Sequence, residues 1–375
     1  MQDVVIEDLK LFDDDGAEGP DEILAFSRTV LVDRLHQLLG STSIQGLRHA
    51  IGDLKEQLRA PDSDLRAPTG EVDTVDFEKT HILDELDQIA AARTLERARH
   101  YVERLFKSVA EVRTSPINDI NLNRWKEYGD IYTDSLWIVK RRDNSGVHNA
   151  GYWGNFIPQI PNQMMRRYTK KGDWVLDTFA GLGTTLIEGQ RLGRNTIGIE
   201  LQPDVGERAR RLVASEPNLH SIVTELVIGD STTVGYGDIL RRHGQRSVQL
   251  VVMHPPYFDI IKFSDDPRDL SNAASVDAFL LQMGRAVDNA AQWLDHGRFL
   301  VLVIGDKYEK GQWLPLGFLT MNEIMKRGFL LKSIIVKNFE ETTGKRNQAE
   351  LWRYRALVGG FYIFKHEYIF VFIKR

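Results

Sequence analysis

Apolar residues in the first third of the chain recur at three- and four-residue steps. Leu24, Phe26, Val30, Leu31, Leu35, Leu38 and Leu39 form one series, and Leu83, Leu86, Ile89, Leu95, Tyr101, Val102 and Leu105 form another. Such spacing collects apolar side chains on one helix face, so residues 21–106 are expected to be α-helical. RAPDSDLRAPTGEVD, at 59–73, breaks the pattern and reads as a loop. Residues 1–20, with DDDGAEGP, have neither periodicity nor apolar mass and are expected to be disordered. From Trp174 the pattern changes. Apolar runs of strand length at 174–177, 196–201, 225–230, 248–253, 299–306, 330–338 and 368–375 alternate with helical stretches such as TTLIEGQRLG. Strands that are apolar throughout are buried on both faces, so the expected fold class is α/β, a doubly wound, mostly parallel, Rossmann-like sheet. The last two strands, parted by Gly359-Gly360, are expected to close it as a C-terminal antiparallel hairpin. No internal repeat is seen. The expected domains are an acidic start (1–20), an α-helical region (21–114) and an α/β domain (115–375).

Composition narrows the chemistry. With 375 residues, 42% of them hydrophobic, the chain can bury a sizeable core in one large domain or two smaller ones. It has no cysteine, which excludes disulfides, thiolate nucleophiles and Cys-based zinc sites. No run of 18 apolar residues offers a membrane span, and the acidic N-terminal stretch is unlike a signal peptide, so an intracellular protein is expected. The net charge of -5 is uneven: residues 1–90 carry 21 acids against 8 bases, and the remainder is mildly positive. A positive body is compatible with a polyanion and equally with an ordinary solvated surface.

The most informative stretch is WVLDTFAGLGTTLIEGQRLGRNTIGIEL, at 174–201. A strand ends at Asp177, a turn follows through Phe179, Ala180, Gly181 and Gly183, and a helix begins at Thr184-Thr185. Glycines serve where backbone turns sharply against a ligand, and the carboxyl end of a strand is the ligand crevice of such sheets. The next strand ends at Glu200-Leu201, where an acid can accept two ribose hydroxyls, and the third at Asp230-Ser231, where an acid can take an adenine amino group. A dinucleotide site would want a third glycine, which G-L-G-T-T-L lacks. The blander alternative is a plain turn with solvated acids.

These residues resemble the S-adenosylmethionine-dependent DNA amino methyltransferases that act on cytosine N4 or adenine N6. That family's motif reads roughly D-P-F-x-G-x-G-T-T and then G-R-x-x-I-G-I-E. Here it stands as Asp177-Thr178-Phe179-Ala180-Gly181-Leu182-Gly183-Thr184-Thr185 and Gly193-Arg194-Asn195-Thr196-Ile197-Gly198-Ile199-Glu200, with Thr178 in place of proline. Asn155 to Pro161, including Phe156 and Pro158, occupies the place of the family's lead-in motif, near the methionine end of the cofactor. The resemblance covers about residues 150–375; the first 110 have no counterpart. It implies a methyltransferase sheet, S-adenosylmethionine as cofactor, duplex DNA with a flipped base as partner, and a cytoplasmic protein at the nucleoid. A homodimer and a cognate restriction or defence partner are further associations it allows, with no membrane. The absence of cysteine removes cytosine C5 methylation, whose usual chemistry needs that nucleophile.

After the fourth strand stands Met253-His254-Pro255-Pro256-Tyr257. The family has Asp, Asn or Ser before Pro-Pro-Tyr or Pro-Pro-Phe. An exocyclic amine is a poor nucleophile, because its lone pair is delocalised into the ring. Two fixed acceptors can bind its N–H groups and draw the nitrogen towards tetrahedral geometry. The resemblance assigns these roles to the Pro255 carbonyl and the side chain of residue 254, with Tyr257 stacking on the extruded base. His254 is a departure. A neutral imidazole can accept and a protonated one cannot, so either His254 serves, with activity falling as pH drops through its pKa, or the substitution disables transfer. Asp306 reads as a cap or as pocket lining, and His366-Glu367-Tyr368 as a base-pocket wall or as packing.

Phosphate contacts are sought at Arg141-Arg142, at Arg166-Arg167 with Lys170-Lys171, and above all in 338–360, where Lys345, Arg346, Trp352, Arg353 and Arg355 mix cations with aromatics. Each cluster alone is also an ordinary solvated face. The expected function is site-specific DNA amino methylation, with the helical region serving target recognition or self-association. The alternatives are an RNA guanine-N2-type methyltransferase and a catalytically silent cofactor- or DNA-binding subunit.

Overall fold

A computed structural model describes residues 22–67, 73–148, 151–152, 154–338 and 349–375. The expected disorder at 1–20 lies outside them, as do Lys345 and Arg346. The chain forms two compact units, one running to Arg113 and including Asn121–Glu127, the other holding Thr114–Ile120 and Tyr128–Arg375.

The first unit corrects two expectations. It is helical, but two short strands are set into it, and it is built from a repeat. β1 (Ile23–Ser27), α1 (Arg28–Leu39) and α2 (Ile44–Arg59) return 51 residues later as β2 (Thr74–Glu78), α3 (Lys79–Ala90) and α4 (Leu95–Ala110), each with its length unchanged. The strands pair antiparallel about Ala25↔Asp76, which are equivalent positions, so a pseudo-two-fold axis relates the copies. Contacts come in matched pairs. Arg28 bonds Asp73 at 2.7 Å as Lys79 bonds Glu22 at 2.7 Å, and Arg48 donates to the Ala92 carbonyl as Arg99 does to that of Ser41. Only eight of 37 aligned residues are identical, among them Phe26/Phe77, Leu35/Leu86 and Leu54/Leu105. Burial is what the copies share: Leu31/Ile82, Leu38/Ile89, Ile51/Val102 and Leu58/Val109 all enter one core. One copy alone would leave its helices' apolar faces in water, and the second copy covers them.

The equivalence extends to the caps. The Ser43 hydroxyl accepts from the Gly46 amide at 3.1 Å, and Thr94 accepts from the Arg97 amide at 3.2 Å. Ser43→Ala and Thr94→Ala are each expected to destabilise the intact protein by about 1 kcal/mol in denaturant titrations. Unequal losses would show that the two caps are not energetically equivalent.

In the second unit β3 (Leu136–Trp137) and α5 (Gln159–Tyr168) precede the alternation of β4 (Trp174–Asp177), α6 (Thr184–Leu192), β5 (Asn195–Glu200), α7 (Pro203–Ser215), β6 (Thr224–Ile228), α8 (Tyr236–Arg242), β7 (Val248–Met253), α9 (Val276–Ala291) and β8 (Leu294–Ile304). There follow a small hairpin, β9 (Lys307–Glu309) and β10 (Gln312–Leu314), then α10 (Leu316–Met325), β11 (Phe329–Asn338), α11 (Ala349–Gly359) and β12 (His366–Lys374). Eight strands form one sheet in the order β3-β11-β12-β8-β7-β4-β5-β6. Strands β6, β5, β4, β7 and β8 run parallel, while β12 is antiparallel to both β8 and β11. This is the doubly wound, Rossmann-like sheet closed by an antiparallel pair, although α11 lengthens the closing connection beyond a simple hairpin. Alternation along β8 shows why it is apolar without a break from Phe299 to Ile304. Leu300, Leu302 and Ile304 face the core with α9 and α10, whereas Phe299, Val301 and Val303 face the core with α5.

The chain leaves β4 towards β5 and β6, then returns to lay β7 on the other side of β4. The carboxyl ends of β4 and β7 are therefore neighbours at a topological switch point, where open α/β sheets bind ligands. The Thr178 amide, just past the end of β4, donates to the Val252 carbonyl in the last residues of β7 at 3.1 Å.

Candidate active site

A cavity of about 400 Å³ opens at this switch point, and the glycine turn and the Pro-Pro turn both line it. Phe156, Phe179, Gly181, Glu200, Leu201, Asp230, Ser231, His254, Pro255, Pro256 and Tyr257 line it. Pro158, Asp177, Ala180, Gly183, Thr184 and Thr185 stand behind the lining and support it. Asp177 is fully buried and accepts from the Phe179 amide at 2.9 Å. It holds the bend from beneath. Burial pushes its carboxyl up to about 6, against that hydrogen bond. Gly183 begins α6 at φ +80°, and a Cβ there would come 3.0 Å from Val213, so only glycine fits between α6 and α7. The Thr184 hydroxyl donates to Asn155 Oδ1 at 3.1 Å, tying the turn to the lead-in segment. Pro158 immediately precedes α5, and its carbonyl accepts from the Asn162 amide at 3.1 Å.

Glu200 is the turn's electrostatic centre. Its carboxylate accepts from the Gly181 amide at 3.0 Å and from the Gln202 amide at 2.9 Å. Burial dominates its titration and raises it to about 7, with Asp177 and Asp269 adding to the rise. Asp230 accepts from the Thr232 amide and hydroxyl at 2.8 and 2.7 Å. Four carboxylates (Glu200, Asp230, Asp269 and Glu367) line the cavity against two cations, Arg268 and Lys337. That balance, with Phe156, Phe179 and Ile199 between the acids, fits a ligand that joins a positive centre to a nucleoside.

At the other end His254 is half-buried, its ring 4.8 Å from that of Phe156. His254 Nε2 lies 3.1 Å from the Tyr257 hydroxyl, which donates to Glu367 at 2.8 Å. Glu367 also pairs with Lys337 at 3.0 Å, each 5% exposed. Burial is the main force on His254 and lowers its pKa to about 4, so the ring is neutral near pH 7. Gly305, beyond the end of β8, makes room for Tyr257: a Cβ there would lie 2.9 Å from the tyrosine ring.

Several residues take roles other than those expected. The Arg142 guanidinium is half-buried and donates to the carbonyls of Phe156 and Asn155, at 2.9 and 3.3 Å, so it braces the lead-in segment and does not offer itself to phosphate. Arg141 remains exposed. Arg166 forms a two-point pair with Asp130, and Arg167 donates to the Tyr132 carbonyl. On α11, Arg353 and Arg355 are exposed, with Arg355 over the Trp352 ring at 5.3 Å. Asp306 is a cap: it accepts from the Gly317 amide in the first turn of α10 and from Trp313. Tyr152, Gln202, Asp269 and Lys337 line the cavity without having been anticipated. Only Lys337 carried a signal, a cation two positions after Ile335 and so on the buried side of a largely apolar strand.

Comparison with known proteins agrees with this geometry. A DNA methylase family model, of the N6 and N4 amino type, matches residues 85–211. Over that stretch the chain is similar to DNA amino methyltransferases. The match supports S-adenosylmethionine as the cofactor. The match starts at Glu85, inside the first unit and well before the resemblance read from the motifs, and it ends before His254. The type II methyltransferase M.MthZI of Methanothermobacter thermautotrophicus is 34% identical over 79 residues, 21% of this chain and 21% of that protein. M2.DpnII of Streptococcus pneumoniae, also a type II methyltransferase, is 34% identical over 99 residues, 25% of this chain and 34% of its own. An uncharacterized protein of Methanocaldococcus jannaschii is 36% identical over 160 residues, 36% of this chain and 51% of its own. The chain thus spans about half or less of the length of these relatives. Among the described residues no helix is long and apolar enough to cross a membrane, and no group of side chains is arranged to hold a metal ion.

Proposed function

We propose that this protein methylates an exocyclic amino group of DNA, cytosine N4 or adenine N6, on a base turned out of the duplex, with the N-terminal unit serving target recognition or self-association. The supporting observation is the single cavity in which the Glu200 turn and the His254–Tyr257 turn meet. When bound, S-adenosylmethionine supplies an electrophilic methyl group on a sulfonium centre. Glu200 accepts the ribose hydroxyls, Asp230 accepts the adenine amino group, and Phe179 and Ile199 pack on the adenine. Gly181 lets the backbone approach, and the cavity's excess of carboxylates offsets the positive charge. At the other end the Pro255 carbonyl and His254 accept the two N–H groups of the target amine, and Tyr257 packs on the base. The amine nitrogen would bond to the methyl carbon as the sulfur–methyl bond breaks, the sulfur leaving as a neutral thioether, and the amine would lose one proton. With a pKa of about 4, His254 is too weak a base to keep that proton, which passes to water.

The intact protein, labelled cofactor and either duplex DNA or bulk RNA provide the test. Label is expected in DNA, and nucleoside digestion with mass spectrometry will show N4-methylcytosine or N6-methyladenine. Label in RNA alone would overturn the choice of polymer. Label in neither polymer, with cofactor binding intact, would favour a silent binding subunit.

A further inference from the structure

The methyl-transfer reading leaves open how a histidine serves where the family has Asp, Asn or Ser. Imidazole is an acceptor only when neutral, and then only through the nitrogen that lacks hydrogen. Its two tautomers must therefore be told apart. We propose that the Lys337–Glu367 ion pair, acting through the Tyr257 hydroxyl, holds His254 as the neutral Nε2–H tautomer and leaves Nδ1 as the acceptor for one hydrogen of the target amine.

The argument runs inward from the ion pair. Lys337 and Glu367 are direct partners in the antiparallel ladder of β11 and β12, with Lys337 Nζ 3.0 Å from one carboxylate oxygen. The other oxygen accepts from the Tyr257 hydroxyl at 2.8 Å. Tyrosine has one hydroxyl hydrogen, and this bond uses it. What remains on that oxygen is a lone pair, so the 3.1 Å contact with His254 Nε2 requires the hydrogen to sit on the histidine. Nδ1 then carries the free lone pair, and among the described residues the His254 ring's hydrogen bond is the one through Nε2. Three titratable groups face the ring, Lys337 from β11, Glu367 from β12 and Tyr257 from its own turn; the lead-in segment presents only the Phe156 ring.

The lysine has a second effect. A lone carboxylate this close would favour imidazolium, which accepts nothing. Lys337 opposes that pull, and burial does the rest. The arrangement differs from a catalytic triad, where the carboxylate bonds the imidazole directly and stabilises its protonated form. Glu367 and Lys337 are positioning residues, and they act on the acceptor through Tyr257.

This inference rests on the methyl-transfer reading, but its first measurement does not. In protein labelled with 15N-histidine, two-bond proton–nitrogen correlations distinguish the tautomers, and loss of one signal set in His254→Asn identifies residue 254. Wild type is expected to show Nε2–H, and both Glu367→Gln and the milder Tyr257→Phe are expected to mix the tautomers. In single-turnover methylation at saturating cofactor, Glu367→Gln should slow transfer by about tenfold, and by less than about twofold in a His254→Asn background, whose acceptor needs no relay. Lys337→Met should add an acid limb near pH 6, roughly the unperturbed range of imidazole, because the uncompensated carboxylate then favours imidazolium. An Nδ1–H tautomer in wild type, or equal losses from Glu367→Gln in both backgrounds, would overturn the relay. An Nε2–H tautomer that responds to both substitutions, in a protein that methylates neither DNA nor RNA, would uphold the relay and overturn the function it rests on.

Discussion

His254→Ala is expected to lower the rate of methyl transfer by about 10²–10³, the size of effect seen when one preorganised group is removed from a site of developing charge. Cofactor affinity should stay near wild type, because His254 lies by the Pro-Pro turn, while the groups suited to ribose and adenine stand on β5 and β6. Single-turnover rates at saturating DNA and calorimetric cofactor binding separate the two quantities. A large loss of cofactor affinity would remove His254 from the role of amine acceptor. The pH dependence has a definite sign. The imidazole accepts only while neutral, so wild-type transfer should show no histidine limb until pH falls towards about 4. Folding stability moves at higher pH. The unfolded imidazole protonates near 6.5 and the folded one only near 4, so this group's contribution is present above 6.5 and is lost as pH falls through that window.

Replacing Glu200 with alanine should weaken cofactor binding by about 1–3 kcal/mol, the usual worth of hydrogen bonds to a charged group. Part of the loss is local, because the carboxylate also anchors the Gly181 and Gln202 amides. The conservative Glu200→Gln should therefore retain more affinity. In the ligand-free protein Glu200 titrates at about 7, raised chiefly by burial, and only the ionised form accepts both ribose hydroxyls. Affinity should consequently rise with pH up to about 7 and level off above it, with close to a tenfold loss per unit below. Calorimetry in buffers of different ionisation enthalpy should find proton release on binding near neutral pH in wild type and not in Glu200→Gln. Affinity independent of pH from 6 to 8 would exclude this titration. The stability sign is opposite to that of His254. A folded carboxyl raised from 4.5 to about 7 stays protonated while the unfolded one ionises, so stability declines as pH rises through that interval.

Much of the α/β unit was legible because its signals are local. A strand buried on both faces must be apolar at successive positions, as 250–253 is, and the expected strand 248–253 is β7 residue for residue. A bend that needs positive φ needs glycine, and Gly181 and Gly183 have φ of +51° and +80°. The acids at 200 and 230 follow strand ends, and strand ends in such sheets border the ligand crevice. The repeat in the first unit escaped notice for the converse reason. Its copies keep burial and cap chemistry and share few identities, so their likeness resides in which positions face inward.

The chain by itself therefore determined the sheet, its crevice and the residue types suited to a nucleoside and an amine, because turns, strand ends and two-sided burial are written in short windows. Only the tertiary structure decided which of those residues face the cavity. Asp177 turned beneath the bend, Arg142 went to two backbone carbonyls, and Lys337 met Glu367 from 30 residues away. These outcomes depend on cross-strand register and on the order β12-β8-β7-β4, long-range pairings that no short window contains.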